Sequence, residues 1–324
     1  MKTPLIRLMA TALLMVSAVA QTANPAASTT PPKTNNVRRA ETRFPKPEVK
    51  YPLGPDSLRK EGVPHGKVTD YVWKDSKVFT NTIRHWSIYV PAQYDPAKPA
   101  ALMVFQDGHT YLKEDGDFRV PVVFDNLIAA KEMPVTIGVF IDPGFKQAEF
   151  PANSPRGWQP EPQNRSFEYD SLGAAYSDFL INEILPEVKK LYNITDDPDG
   201  HAIAGISSGG ICAWTVAWER PDQFHKVLTH VGSFTNIRGG NKYPEIIRAA
   251  EPKPIRIFLQ DGENDNRSRR PGWDWVEGNL NMASALENKD YDYKYVLGGG
   301  RHSGNHGGAI LPDSLRWLWR DYPK

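Results

Sequence analysis

Residues 201–219 read HAIAGISSGGICAWTVAWE: an apolar run from His201 to Gly205, a turn of two serines and two glycines, and a second apolar run to Glu219 that Pro221 closes. The first run has the length of a buried strand and the second that of a helix. In this strand–turn–helix setting Gly205-Ile206-Ser207-Ser208-Gly209 fits G-x-S-x-G. The flanking glycines let neighbouring backbones pass closely, and the sharp turn exposes the central Oγ at the carboxyl end of the strand. Ser207 is therefore the candidate nucleophile, and the backbone N–H of Ser208 a candidate oxyanion donor. A phosphate cradle would need G-x-G-x-x-G or a P-loop lysine, and this stretch has neither.

The segments around it place the turn in an alternating α/β domain. Val135–Ile141 and Ala101–Phe105 are unbroken apolar runs, as strands buried on both faces of a parallel sheet require. RHWSIYV alternates, setting Trp86, Ile88 and Val90 against His85, Ser87 and Tyr89. From Leu172 to Leu191 the apolar residues follow helical spacing, with Pro186 expected to kink the helix. KVLTHVG, PIRIFLQ and YDYKYVLG read as further strands and PDSLRWLWRDY as a closing helix. Alternating strand and helix over this length predicts one α/β domain from residue 63 to 324.

A serine nucleophile needs a base, and the base an orienting acid, in the chain order serine, acid, histidine. Just past PIRIFLQ lies DGENDN, where Asp265 is the preferred acid, Glu263 the reserve and Asp261 a strand-end residue. After the last strand, GGGRHSGNHGG supplies His302 and His306. His302, nearer the strand end, is the preferred base, which leaves His306 to line the cleft or meet substrate. The H-x-x-x-H spacing of this pair could also serve a metal, but the segment is mostly glycine and shows no third ligand. The expected chemistry requires neither metal nor organic cofactor. Trp273 and Trp275, close after the acid, together with Trp158, are candidates for walling a pocket for an aromatic acyl group or a sugar, or for ordinary core packing. Arg267, Arg269 and Arg270 suit either an anionic substrate or a solvated basic loop.

The amino-terminal residues are of another kind. Lys2 and Arg7 precede the apolar run LMATALLMVSAVA, which ends in the small-x-small pattern of a secretory signal peptide. The run falls short of the ~20 apolar residues of a spanning helix. Residues 1–20 are thus expected to be removed on export to the periplasm or beyond, with no lasting membrane insertion. Residues 21–62 read as a Pro-rich linker and extended arm. Lys plus Arg number 39 against 38 Asp plus Glu, a balance that offers no broad basic surface to nucleic acid. Cys212 is the sole cysteine, so no internal disulfide can form and the core must carry the stability. Its place five residues after Ser207 reads as a small buried side chain of the helix.

From about Val63 to Trp319 the chain resembles the esterase branch of the α/β-hydrolases that includes enterochelin, feruloyl and acetyl-xylan esterases and S-formylglutathione hydrolase. VPHGKV, YVPAQYD, LMVFQDGHTY, NRSFEYDSLGAAYSDFLINEILPEV, AGISSGGICAW, GSF, DGENDN and GGRHSGNHGGAILPDSLRWLW carry the resemblance. It implies a mostly parallel central sheet with helices on both faces and acyl transfer through an acyl-enzyme. It supports His302, which stands nine residues before Leu311 of LPDSL, as relatives place their histidine. It implies a second oxyanion donor at the backbone N–H of Gly108 or His109. Arg165 and Glu168 match its R-x-x-E element, either as a buried pair bracing the cleft or as substrate contacts. The implied substrates are small-molecule or polysaccharide-linked esters. Carbohydrate or phenolic esters come first, a siderophore trilactone second, and transfer to a sugar hydroxyl is a further possibility. A serine, an acid and a histidine in this order argue against a binding module on the same scaffold.

Overall fold

The computed structural model describes residues 49–151 and 164–324. Strands β1 Lys67–Trp73, β2 Arg84–Val90, β3 Ala101–Gln106, β4 Thr136–Ile141, β5 His201–Ile206, β6 Lys226–His230, β7 Arg256–Gly262 and β8 Tyr293–Gly298 form one sheet in the order β1-β2-β4-β3-β5-β6-β7-β8. β2 is antiparallel to both of its neighbours, and every pairing from β4 to β8 is parallel.

Parallel neighbours need crossover connections, and helices supply them. Between β3 and β4 lie α1 Gly108–Leu112 and α2 Val120–Ala129; between β4 and β5, α3 Arg165–Tyr169, α4 Ala175–Phe179 and α5 Leu185–Leu191. Then come α6 Ser208–Glu219, α7 Tyr243–Ala249 and α8 Trp275–Glu287, each before the next strand, and α9 Asn305–Ala309 and α10 Leu311–Leu318 after β8. Side chains alternate along a strand, so a strand that is apolar throughout needs cover on both faces. Leu102 and Val104 of β3 join one core with Ile211 and Trp214 of α6 and Met282 of α8. Ala101, Met103 and Phe105 join a second core with Val123 and Phe124 of α2 and Leu311 and Leu315 of α10. This is the α/β-hydrolase fold.

Three local features depart from the pattern read in the sequence. β1, an edge strand paired along its length with β2, has no clear apolar alternation. Its outer face carries Val68 and Val72, 39% and 49% exposed, while Tyr71 and Trp73 pack inward, so both faces look apolar. The helix expected over 172–191 is divided: a π turn at Leu180–Ile184 separates α4 from α5. Leu185 N–H still pairs back to Leu180 O, and Pro186, which has no N–H to continue the ladder, follows directly, so the irregular turn lies beside the proline expected to disturb this helix. Finally, residues 51–58 pack on the domain. Ser57 is fully buried, and Asn126 of α2 donates to the carbonyls of Asp56 and Leu58, 2.9 Å each.

The expected leader (1–20), most of the arm and Trp158 lie outside the described residues. Among the described residues no helix is long and apolar enough to cross a membrane.

Candidate active site

β5 ends at Ile206 and α6 begins at Ser208, leaving Ser207 alone to turn the chain. Its backbone lies at φ 57°, ψ −120°, a region that a side-chain-bearing residue occupies only when its surroundings hold it there. Those surroundings are visible. Ser207 N–H donates to His230 O at 2.9 Å, and Ser207 O accepts from the N–H of Ser233 at 2.9 Å and of Gly210 at 3.0 Å. A Cβ on Gly205 would collide with the carbonyl of Gly209, so glycine is required where the strand passes under the helix start. The result is a partly exposed Oγ at the carboxyl end of the sheet.

Above it stands His302, from the loop after β8. Its Nε2 is 2.8 Å from Ser207 Oγ and its Nδ1 is 2.6 Å from Asp265 Oδ1. Asp265 follows β7, with its side chain fully buried, while that of His302 is 26% exposed. A carboxylate only accepts, so Nδ1 carries the ring proton and Nε2 is left to receive the serine's. The Trp275 ring meets the imidazole edge-on at 5.6 Å.

His306 is placed elsewhere. It is buried, stacked on Tyr51 with centroids 4.1 Å apart, and its Nδ1 lies 3.2 Å from Gln260 Nε2. Asp261 is wholly buried behind Asp265. Burial first, and then the Asp265 carboxyl, push the Asp261 carboxyl well above the usual carboxylate range. A protonated Asp261 would be a donor beside Asp265, whose Oδ2 is buried, as are both Asp261 carboxyl oxygens.

The turn after β3 lies against the turn at Ser207. Asp107, at φ 56°, starts α1, and its carboxylate holds Arg165 in a two-pronged pair at 2.8 and 2.7 Å. Arg165 also reaches Ile206 O at 3.4 Å, tying this turn to the residue before the serine. The N–H of His109 donates to Asp142 Oδ1 at 2.9 Å, and its ring Nδ1 lies at the same distance from that oxygen. No such bond engages the N–H of Gly108 among the described residues. Ser208 provides the first N–H of α6, directly beside the serine.

Arg165 and Glu168 do not pair with each other. Glu168 binds Arg84 of β2 at 2.6 and 2.9 Å, and both side chains are fully buried. Glu168 also accepts from Gly144 N–H and Asn164 Nδ2, so its carboxylate is held by buried partners on three sides. Trp273 is half-buried with the Arg270 guanidinium over its ring at 4.3 Å. Arg267 pairs with Asp274 at 2.7 Å. Cys212 is buried, and burial pushes its thiol up, far from a reactive thiolate. Among the described residues no group of three or more His, Cys, Asp or Glu side chains is arranged to hold a metal ion.

The family model described as "Putative esterase" matches residues 77–303, a span that runs from before β2 through His302. The chain belongs to this esterase family. Membership places it in a family of esterases. The Iron(III) enterobactin esterase of Dickeya dadantii is 28% identical over 182 residues, 56% of this chain and 35% of that protein. The ferric enterobactin esterase of Salmonella typhimurium superposes with a TM-score of 0.64 at 21% identity, covering 83% of this chain and 62% of that one. The ferulic acid esterase AmCE1/Fae1A of Anaeromyces mucronatus gives 0.60 at 20% identity, with 82% and 97% covered. This esterase thus spans about a third of the Dickeya protein and under two thirds of the Salmonella one.

Several residues of the site have contacts that the sequence does not show, although Asp107 lies within LMVFQDGHTY and Ser233 within GSF. Asp107 and Asp142 hold the turn after β3, and Tyr51 reaches His306 from the amino-terminal arm. Ser233, three residues past β6, has its Oγ 3.2 Å from Ser207 Oγ. GSF marks the residue, and position adds to that signal: in an open parallel sheet, functional side chains gather just beyond the carboxyl ends of the central strands.

Proposed function

We propose that this chain is an exported serine esterase that works through an acyl-enzyme on Ser207. The observation that carries this reading is the placing of His302 between Ser207 Oγ at 2.8 Å and Asp265 Oδ1 at 2.6 Å. His302 takes the serine proton as Oγ attacks the ester carbonyl, and Asp265 holds the imidazole tautomer and stabilises its charged form. The proton then passes to the leaving alcohol, and water, activated by the same histidine, releases the acid. The N–H of Ser208, with that of Gly108 across the cleft, receives the oxyanion; one such donor is worth roughly 10²–10³ in turnover. His109 is less suited, since its N–H already serves Asp142.

The proposed substrates are carbohydrate-linked or phenolic esters such as acetyl and feruloyl esters. Trp275 against His302 supplies an aromatic wall beside the reacting atoms. Trp273 and Arg270, stacked together a few residues earlier, suit an aromatic acid bearing negative charge. The Dickeya relative favours a second reading, a siderophore trilactone. Export rests on the leader pattern of residues 1–20, which precedes the arm and the catalytic domain.

The test is hydrolysis of p-nitrophenyl acetate, methyl ferulate, acetylated xylan and a catecholate trilactone by the wild type and Ser207→Ala. Serine-dependent cleavage of ferulate or acetyl-xylan supports the first reading, and cleavage of the trilactone alone supports the second. Natural-ester cleavage that survives Ser207→Ala overturns the mechanism.

A further inference from the structure

Ser233 is 1% exposed, yet its hydroxyl lies 3.2 Å from the Oγ of Ser207, within the shell of the reacting atom. Three features hold it there. Trp275 Nε1 donates to Ser233 Oγ at 3.1 Å, and Ser233 N–H donates to Ser207 O at 2.9 Å. Asn279 Nδ2 anchors the carbonyl of Gly232 at 2.9 Å. The backbone reaches this position through Val231 at φ 44°, a conformation costly for a β-branched residue, which persists only where the surroundings dictate it.

The directions of these hydrogen bonds follow from the donors available. An indole N–H can only donate, so it fixes Ser233 Oγ as its acceptor and turns the hydroxyl proton elsewhere. Ser207 gives its own proton to His302 Nε2, because Nδ1–H is committed to Asp265. Ser207 Oγ is then an acceptor toward Ser233, and the chain runs one way: Trp275 to Ser233 to Ser207 to His302.

We propose that Ser233 is a catalytic residue that donates a hydrogen bond to Ser207 Oγ. This rests on Ser207 being the nucleophile. As His302 removes the proton from Ser207, negative charge builds on Oγ, and a bond to a charged acceptor is roughly twice as strong as a neutral one. The bond weakens when Oγ becomes the ester oxygen of the acyl-enzyme. It strengthens again when the deacylation intermediate collapses and Oγ leaves. Ser233 keeps its proton throughout; the proton that moves is that of Ser207, taken by His302 and later returned.

The experiment compares wild type, Ser233→Ala, Trp275→Phe and the double variant on p-nitrophenyl acetate, with thermal unfolding as the control for folding. Ser233→Ala is expected to lower kcat about 10- to 100-fold. KM should change little and the pH dependence should keep its shape, since Ser233 does not titrate in this range. Trp275→Phe keeps a ring against His302 but frees the Ser233 hydroxyl to turn, so it should lower kcat less, and the double variant should be no slower than Ser233→Ala. Wild-type turnover in folded Ser233→Ala overturns the proposal, as does an independent, multiplicative loss from Trp275→Phe in the double variant. Either result leaves the nucleophile reading intact as long as Ser207→Ala is inactive; an active Ser207→Ala would remove that reading instead.

Discussion

Tyr51 stacks on His306 from the other end of the folded domain's sequence, with ring planes 24° from parallel. The same tyrosine accepts from Gly299 N–H at 2.6 Å, and its backbone exchanges bonds of 2.8 and 3.1 Å with the Asn305 side chain. These contacts fall on both sides of His302, so the arm fixes the two ends of the loop that carries the base. Tyr51→Ala is expected to slow turnover roughly 10-fold by loosening that loop, since small misplacements of catalytic groups are costly. Tyr51→Phe, which keeps the stack and loses one bond, should cost about 1 kcal/mol of stability. Steady-state rates and urea unfolding of the two variants check this.

The orienting acid has a separate signature. Asp265→Asn puts an amide where Nδ1–H needs an acceptor, which favours the wrong imidazole tautomer. Turnover should fall by about 10³–10⁴ with the fold intact. Glu263→Gln, by contrast, should leave it near wild type.

Asp261 makes stability depend on pH. Its folded-state carboxyl is raised far above the ordinary 3.8, so between these limits the folded chain holds a proton that the unfolded chain releases. Stability contributed by that proton is complete below about pH 4 and declines as pH rises, by at most ~1.4 kcal/mol per unit. Asp261→Asn should therefore be more stable than wild type at pH 8, with the advantage shrinking toward pH 4. Melting temperatures of both proteins across that range are the readout.

The Arg84–Glu168 pair should behave as structure. Both side chains are sealed from water, so Glu168→Ala leaves an unpaired buried guanidinium and should cost about 3–5 kcal/mol. Turnover per folded molecule at low temperature should stay within a few-fold of wild type. A large kcat loss in a fully folded variant would instead bring Glu168 to the chemistry.

What the sequence made legible was whatever it encodes locally. The turn at Ser207 announces itself because glycine is needed under the helix start and because a strand and a helix flank it. His302 and Asp265 could be picked out because each follows a strand end in the required order. Pairings between distant segments leave no such mark. Nothing in R-x-x-E shows that Arg165 goes to Asp107 and Glu168 to Arg84, or that Tyr51 reaches across to His306. β1 escaped notice because Val68 and Val72 on its open face blur the alternation that a half-buried strand should show. Ser233 is marked only as part of GSF; that its hydroxyl meets Ser207 depends on Val231 in an unfavourable conformation, which the pattern does not foretell.

The central claim is that Ser207 is the nucleophile, and the most direct measurement is intact-mass analysis with peptide mapping after reaction with a fluorophosphonate. The account predicts one adduct per chain, on Ser207, absent from Ser207→Ala and formed far more slowly by His302→Ala. An adduct on another residue, or none on folded protein that still hydrolyses esters, would contradict it.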